Sequence, residues 1–131
     1  MDCVFCKIIK GDLPCFKIYE NEKVLAFLDI SNDIEGHTLV IPKNHCKNIL
    51  DCNDLDLAEV MKAVKFISNH YISLGYDGVN ILNANEKAAE QSVFHLHFHI
   101  IPRKNDDGYS TFPKFDKNEI TLEKAYNKFK I

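Results

Sequence analysis

The segment 93-VFHLHFHII-101 decides the fold, because histidine alternates in it with apolar residues. Side chains at i, i+2 and i+4 of a strand share one face, so His95, His97 and His99 are predicted to project together. The intervening apolar side chains then point the other way, into a core. Pro102 is predicted to end the strand, because proline has no N–H to give to a sheet.

Three histidines in register favour a functional strand over one whose polar face merely happens to be histidine. Imidazoles a strand spacing apart lower one another's pKa, since charging them together is repulsive. A neutral imidazole is both a nucleophile and a metal ligand. We therefore expect chemistry at this strand.

The rest of the chain predicts an α+β fold, in which an antiparallel sheet of about five strands packs against one long helix. Apolar spacing predicts this helix over 55–74, with Asp54 as its N-cap and Gly75 beyond its end. The other predicted elements are a hairpin over 16–30 that turns at Asn21 and Glu22, strands at 37–42 and 79–82, and a short C-terminal helix marked by Leu122, Tyr126 and Phe129.

Composition describes an ordinary globular domain of 131 residues, 46% hydrophobic, with a net charge of −3. No basic block suits a nucleic-acid backbone, and no apolar run approaches the roughly 18 residues of a membrane span. Neither nucleic acid nor a membrane is therefore expected as a partner. The opening of the chain has no signal-peptide pattern, so we expect a cytoplasmic protein whose five cysteines are free thiols.

The histidine strand resembles the His-x-His-x-His-x-x signature of the histidine triad (HIT) proteins. The segments 3-CVFCKIIKGDLP-14, 25-LAFLDISNDIEGHTLVIPKNH-45 and 91-QSVF-94 are similar to the same family in order and spacing. The resemblance is strongest over 3–103. It implies a single HIT domain over 1–131, with 104–131 as a variable tail.

The resemblance implies an enzyme that attacks the α-phosphorus of a bound nucleotide with the middle histidine. His97 would then be the nucleophile, and His99 and His37 would lie beside the phosphate. Gln91 and Ser92 would donate hydrogen bonds to the phosphate or to the leaving group.

The same resemblance implies a nucleoside pocket. Asp29 would accept from both ribose hydroxyls, although an Asx turn onto Ser31 is an equally good reading of the residues alone. The base would lie against apolar side chains, for which plain core packing is the alternative: Phe5, Ile8, Phe27, Leu28 and Ile30.

Two positions depart from the family pattern. Glu90 stands where many relatives have glycine before the glutamine, and Ala84 stands where an amide commonly faces the phosphates. We expect Glu90 to face solvent and either Asn83 or Asn85 to supply the amide. The preferred leaving group is left open by these departures.

A Cys3-x-x-Cys6 pair alone could serve redox chemistry, packing or a metal. Zinc takes four N or S ligands, and His45 and His95 would complete a Cys2His2 set like the structural zinc site of some triad relatives. We predict structural Zn²⁺ and no organic cofactor. The alternative is a reduced Cys3–Cys6 pair that binds no metal.

The leading hypothesis is a hydrolase or transferase that cleaves at the α-phosphate of a purine nucleotide through a nucleotidyl-histidine. Its ligands would be purine nucleoside monophosphate derivatives, either a phosphoramidate or a dinucleoside polyphosphate. The alternatives are a nucleotide-binding regulatory module with vestigial hydrolysis and a zinc-stabilised interaction domain without a nucleotide. The resemblance also implies a homodimer formed through the long helix and a strand.

Overall fold

The protein is built around one five-stranded antiparallel sheet. The structure is a computed structural model that describes residues 2–131. Met1, which the predicted domain includes, lies outside the described residues. The strands follow the spatial order β1-β2-β3-β5-β4. The elements in chain order are α1 (Val4–Lys10), β1 (Lys17–Glu20), β2 (Val24–Leu28), β3 (Thr38–Pro42), α2 (Asp54–Ser73), β4 (Gly78–Leu82), a 3₁₀ turn (Lys87–Ala89), β5 (Phe98–Arg103) and α3 (Leu122–Phe129). The predicted α+β class is confirmed.

The hairpin of β1 and β2 forms where the sequence predicted it. The Oδ1 atom of Asn21 accepts hydrogen bonds from the backbone N–H groups of Lys23 and Val24, at 2.8 and 2.9 Å. An asparagine that satisfies the following backbone in this way is a common device for a tight polar turn. β3 ends at Pro42, as predicted.

The predicted strand over 93–101 is wrong at both ends. β5 begins at Phe98, because the preceding segment bonds elsewhere: the Leu96 N–H donates to the carbonyl of Cys46 at 2.9 Å. β5 then continues through Pro102, which pairs with β4. The pairing of β5 with β3 stops at Ile100, so the missing proline N–H leaves no gap in the ladder.

Helix α2 covers one face of the sheet, and its N-cap is Asn53 rather than the predicted Asp54. The Oδ1 atom of Asn53 accepts from the Asp56 N–H at 2.8 Å. The buried face of the helix and the apolar side chains of the histidine strand share one core, as predicted. Its members include Val60, Val64, Ile67, Tyr71, Leu96, Phe98 and Ile100.

A second core lies on the opposite face of the sheet, under helix α1, which the sequence reading missed. The Sγ atom of Cys3 caps this seven-residue helix, and Gly11 ends it at φ 86°. Helix α1 buries Phe5 against Leu25, Phe27 and other apolar side chains of the sheet. The sheet that holds the end of the histidine segment therefore has a hydrophobic core on each of its two faces.

The predicted C-terminal helix is confirmed as α3, which Thr121 caps. Its apolar side chains are not buried in the described protomer: Leu122, Tyr126 and Phe129 are 90%, 65% and 77% exposed. Across residues 2–131, no helix has both the length and the apolar character needed to cross a bilayer.

Candidate active site and metal cluster

The Cys/His cluster is formed by three separate segments: the start of α1, the loop after β3 and the segment before β5. His95 is fully buried, and its Nδ1 atom lies 3.4 Å from Cys3 Sγ, 3.6 Å from Cys6 Sγ and 3.1 Å from His45 Nδ1. Cys6 Sγ lies 3.4 Å from His45 Nδ1. All four predicted ligands are thus brought together.

These separations fit a tetrahedral zinc ion. Zn–S bonds of about 2.3 Å and Zn–N bonds of about 2.05 Å place sulfur and nitrogen ligands roughly 3.5 Å apart and two nitrogens roughly 3.3 Å apart. The tautomer of His95 fits as well. Its Nε2–H donates to the carbonyl of Pro42 at 2.8 Å, so the lone pair of its Nδ1 faces the two sulfur atoms.

His97 is held in one orientation by its own chain. Its Nδ1 lies 2.7 Å from the carbonyl oxygen of His95, and a carbonyl can only accept, so Nδ1 carries the proton. In the neutral ring, Nε2 therefore has the free lone pair. The side chain is 8% exposed and packs edge-on against Phe5, and burial lowers its pKa, which favours this neutral form.

A hydrogen-bonded chain of three side chains leads to the neighbouring histidine. His37 Nδ1 donates to the Asp33 carboxylate at 2.7 Å, and His37 Nε2 lies 2.8 Å from His99 Nδ1. The hydrogen bond from His37 lowers the pKa of Asp33, while burial lowers the pKa of His99 to about 4. His99 is accordingly neutral at pH 7.

Asp29 uses its two oxygens differently. Oδ1 accepts from the Ser31 N–H at 2.9 Å, which is the Asx turn expected as the alternative reading. Oδ2 lies 3.6 Å from His37 Nε2. Asp29, His37 and His99 also lie close enough to hold an ion, but the His37–His99 hydrogen bond accounts for that proximity without one.

Most of the residues predicted to line the nucleotide pocket surround one cavity of about 330 Å³. His97, His99 and Ser92 form its polar side. Its other lining residues include Phe5, Ile8, Phe27, Asp29 and Ile30. Leu28 lies in an adjoining cavity that shares Asp29 and Ile30 with the first. Phe5 and Phe27 are buried, whereas Ile30 is 91% exposed at the rim.

The amide side chain of Gln91 joins the loop that precedes the triad to the loop that follows β3. Gln91 Nε2 donates to the carbonyls of Lys47 and Val93, and its Oε1 accepts from Asn48 and from the backbone of Glu86. Gln91 is 5% exposed, so the structure places its amide between these two loops rather than in the cavity.

Asn83 and Asn85 likewise bond to the protein. Asn83 Nδ2 donates to the carbonyl of His97 at 2.9 Å, and Asn85 Oδ1 accepts from the Ile49 N–H at 2.8 Å. Asn83 also lines a cleft beside His99, together with Ala84 and Glu90. Glu90 is exposed, as expected.

Two participants were missed by the sequence reading, namely Asp33 and the carbonyl of Pro42. Asp33 precedes His37 by four residues in a loop, and nothing in this spacing distinguishes it from an ordinary turn aspartate. The Pro42 carbonyl carries no signal in the sequence at all. Both orient a histidine ring, so tertiary contact alone reveals them.

The remaining cysteines and His70 lie outside the cluster. His70 is exposed on α2, as expected. Cys15, Cys46 and Cys52 are free thiols that pack beside the two cores.

Residues 10–106 match the HIT domain. The chain belongs to the HIT family. It is 41% identical over 118 residues to the adenosine 5'-monophosphoramidase hnt1 of Schizosaccharomyces pombe. The aligned region covers 86% of this chain and 86% of that protein.

Solved HIT structures match this fold closely. The crystal structure of a HIT family member from Bacillus subtilis superposes with a TM-score of 0.85 at 44% identity, covering 98% of this chain and 92% of that one. A zinc-bound histidine triad protein from Mycobacterium smegmatis superposes with a TM-score of 0.81 at 42% identity, covering 88% and 85%. The HIT resemblance read from the sequence is thus confirmed.

Proposed function

We propose that this HIT protein is a hydrolase that cleaves the bond between the α-phosphate of a purine nucleotide and its leaving group. The observation that best supports this proposal is the tautomer of His97. Its Nδ1–H is donated to the His95 carbonyl, so the free lone pair of Nε2 belongs to a ring that lines the apolar cavity beside Asp29. The name of the Schizosaccharomyces pombe relative supports a phosphoramidate of adenosine monophosphate as the substrate.

The nucleoside would occupy the cavity between α1 and the end of β2. Its apolar walls suit a purine ring, and the rings of Phe5 and Phe27 meet edge to face with their centroids 5.6 Å apart. Asp29 Oδ2, which is not used in the Asx turn, would accept a hydrogen bond from a ribose hydroxyl. This binding would place the α-phosphate beside His97 and His99.

The reaction would proceed in two displacements. The lone pair of His97 Nε2 forms a bond to phosphorus, the P–N bond of the phosphoramidate breaks, and its electron pair leaves on the amine nitrogen, which takes up a proton. A water oxygen then attacks phosphorus and loses a proton to the group that had protonated the amine, the bond from phosphorus to Nε2 breaks, and the ring regains its lone pair as the nucleotide leaves. A covalent intermediate divides one difficult displacement into two easier ones.

The chain from Asp33 through His37 to His99 would serve the phosphate. His37 Nδ1 donates to Asp33 and His37 Nε2 shares a hydrogen bond with His99 Nδ1, so Nε2 of His99 is the ring nitrogen that would face the phosphate. Ser92 lies at the polar side of the cavity and would donate a proton to the leaving amine.

Zinc would be bound by Cys3, Cys6, His45 and His95. The ion would supply structural stabilisation, since all four ligand positions are filled by protein and none is left for a substrate. Its effect on catalysis would be indirect: it would fasten His95, whose carbonyl orients His97.

A homodimer would form through α2 and the exposed edge strand β4. Phe66 marks the flank of α2 beside β1, where its ring packs against Tyr19 with a centroid separation of 5.3 Å. By helical spacing, Met61 and Ile72 lie on the opposite flank, and they are 38% and 44% exposed. A second copy packed there would cover both.

Replacing His97 by asparagine tests the proposed chemistry. We expect His97→Asn to lower the release of adenosine monophosphate from an adenosine phosphoramidate by about a thousandfold or more. Nucleotide binding, measured by calorimetry, should persist. The exposed His70 provides the matched control, because His70→Asn should keep full turnover.

Mass spectrometry of the wild-type protein, denatured at alkaline pH during turnover because the P–N bond is labile in acid, should detect one nucleotidyl group on the peptide that contains His97. Undiminished turnover in His97→Asn would refute the hydrolase proposal. Binding without any turnover in the wild-type protein would instead support a regulatory nucleotide-binding module.

A further inference from the structure

We propose that Glu90 selects the leaving group and favours phosphoramidates whose departing amine carries a second, positively charged group. This inference rests on the proposed function and adds a substrate class to it. Anionic leaving groups, such as a polyphosphate chain, would be disfavoured at the same position.

The place of Glu90 follows from the cavities around His99. A cleft of about 280 Å³ is lined by Glu90 together with His37 and His99. His99 lines both this cleft and the nucleoside cavity. His97 lines the nucleoside cavity but not the cleft. A phosphoryl group attacked from the His97 side expels its leaving group roughly in line, away from the nucleophile. The cleft beyond His99 is therefore the space that the leaving group enters.

The charges around the site do not suit a polyphosphate. Within residues 2–131, no lysine or arginine lines the nucleoside cavity, the cavity adjoining it or the leaving-group cleft. The acidic side chains that line them are Asp29 and Glu90. Binding of several phosphates ordinarily requires cationic side chains or metal ions. Ala84 lines the same cleft and has no side-chain hydrogen-bond donor.

Glu90 and the nearby Glu86 differ in whether the carboxylate already has a cationic partner. The carboxylate of Glu86 accepts hydrogen bonds from Lys47 Nζ at 2.8 Å and from Asn48 Nδ2 at 2.6 Å. In contrast, none of the ion pairs among the described residues involves Glu90. A cation that enters the cleft would meet a carboxylate without a competing partner.

The backbone holds Glu90 at this rim. Its φ of 69° is left-handed, a conformation that favours glycine, and its N–H donates to the Lys87 carbonyl at 3.0 Å to close the 3₁₀ turn. The next residue, Gln91, is fixed by four hydrogen bonds, two within its own loop and two to the loop after β3. These bonds fix the backbone position from which the Glu90 side chain reaches the cleft.

Three adenosine phosphoramidates with the same two-carbon spacer after the leaving nitrogen test the proposal. Their leaving amines are 1,2-diaminoethane, propylamine and β-alanine, so the end group is an ammonium, a methyl or a carboxylate. In the wild-type protein, kcat/KM should be about fivefold higher for the ammonium compound than for the methyl compound, and lower again for the carboxylate. Glu90→Gln should bring the three values together, and Glu90→Lys should reverse their order.

The control is Glu22→Gln, in the exposed turn between β1 and β2, at the opposite end of that hairpin from Asp29. It should keep the wild-type order. Hydrolysis of all three compounds with the same order in Glu90→Gln as in the wild-type protein would overturn the role of Glu90 and leave the proposed function standing. Hydrolysis of none of them by the wild-type protein would overturn the proposed function itself.

Discussion

The Nδ1–H of His97 is donated to the backbone carbonyl of His95, 2.7 Å away, while the His95 ring turns its own Nδ1 towards two cysteines. The peptide unit that carries the predicted metal ligand therefore sets the tautomer of the predicted nucleophile. Stability of the metal cluster and reactivity of His97 are linked through this one hydrogen bond, although the sulfur atoms do not line the same cavity as His97.

Loss of one thiol should remove the metal. We expect Cys6→Ser to reduce bound zinc from one equivalent per chain to a small fraction and to lower the melting temperature by about 10 °C, since metal binding stabilises the folded state alone. Zinc content by elemental analysis and thermal unfolding would measure both. Cys15→Ser is the matched control and should retain zinc. Full zinc occupancy in Cys6→Ser would contradict the Cys2His2 assignment.

Acid should destabilise the protein through His99. Burial lowers its folded pKa to about 4, below the ordinary value of 6.5, so the unfolded chain binds the proton first as the pH falls. The contribution of His99 to the free energy of unfolding is thus complete above pH 6.5 and is lost between pH 6.5 and 4. Allowing for its partial exposure, the loss should be about 1–2 kcal/mol.

Denaturant unfolding at a series of pH values would measure this loss. His99→Asn should flatten the slope by that amount, and His70→Asn should leave it unchanged. Release of zinc in acid affects all three proteins alike, so the difference between them isolates His99. Equal slopes would argue against a buried, neutral His99.

Gly36 should tolerate no side chain. Its φ is +81°, and a Cβ there would lie 2.9 Å from Pro102 Cγ, within the loop that leads into His37. We expect Gly36→Ala to lower the free energy of unfolding by about 2–3 kcal/mol and to reduce turnover as well. Gly11→Ala is a matched control: φ is +86° there, but a Cβ would meet nothing within 4 Å. Equal losses at both positions would show that the contact with Pro102 is unimportant.

The proposed dimer can be tested on one flank of α2. Met61→Glu should convert the protein from dimer to monomer, because it would place a charge in an apolar contact. Analytical ultracentrifugation at several concentrations would measure the change. Lys62→Glu alters charge on the outward face of the same helix and should stay dimeric. Dimers of unchanged affinity in Met61→Glu would place the interface elsewhere.

Local sequence patterns predicted much of the fold. Asn21 and Glu22 predicted the hairpin turn, and the apolar spacing of 55–74 predicted α2, because turn chemistry and helical period are properties of neighbouring residues. Three boundaries were predicted wrongly. Asn53 and Asp54 are both good helix caps, so residue type could not choose between them. The start of β5 depends on the distant contact of Leu96 with Cys46, and its end passes Pro102 because β3 has already stopped pairing at Ile100. Helix α1 was missed because its seven residues are too few for a clear period.

The sequence by itself determined the family, the antiparallel sheet and the identity of the residues in the cluster, since motif spacing and alternation are written along the chain. Only the tertiary structure decided which nitrogen of His95 and of His97 carries a proton, that the Gln91 side chain joins its loop to the loop after β3, and that Glu90 shares a cleft with His99. Those properties depend on groups far apart in sequence, such as the Pro42 carbonyl that orients His95, and a hydrogen bond exists only once folding has brought its two partners within reach.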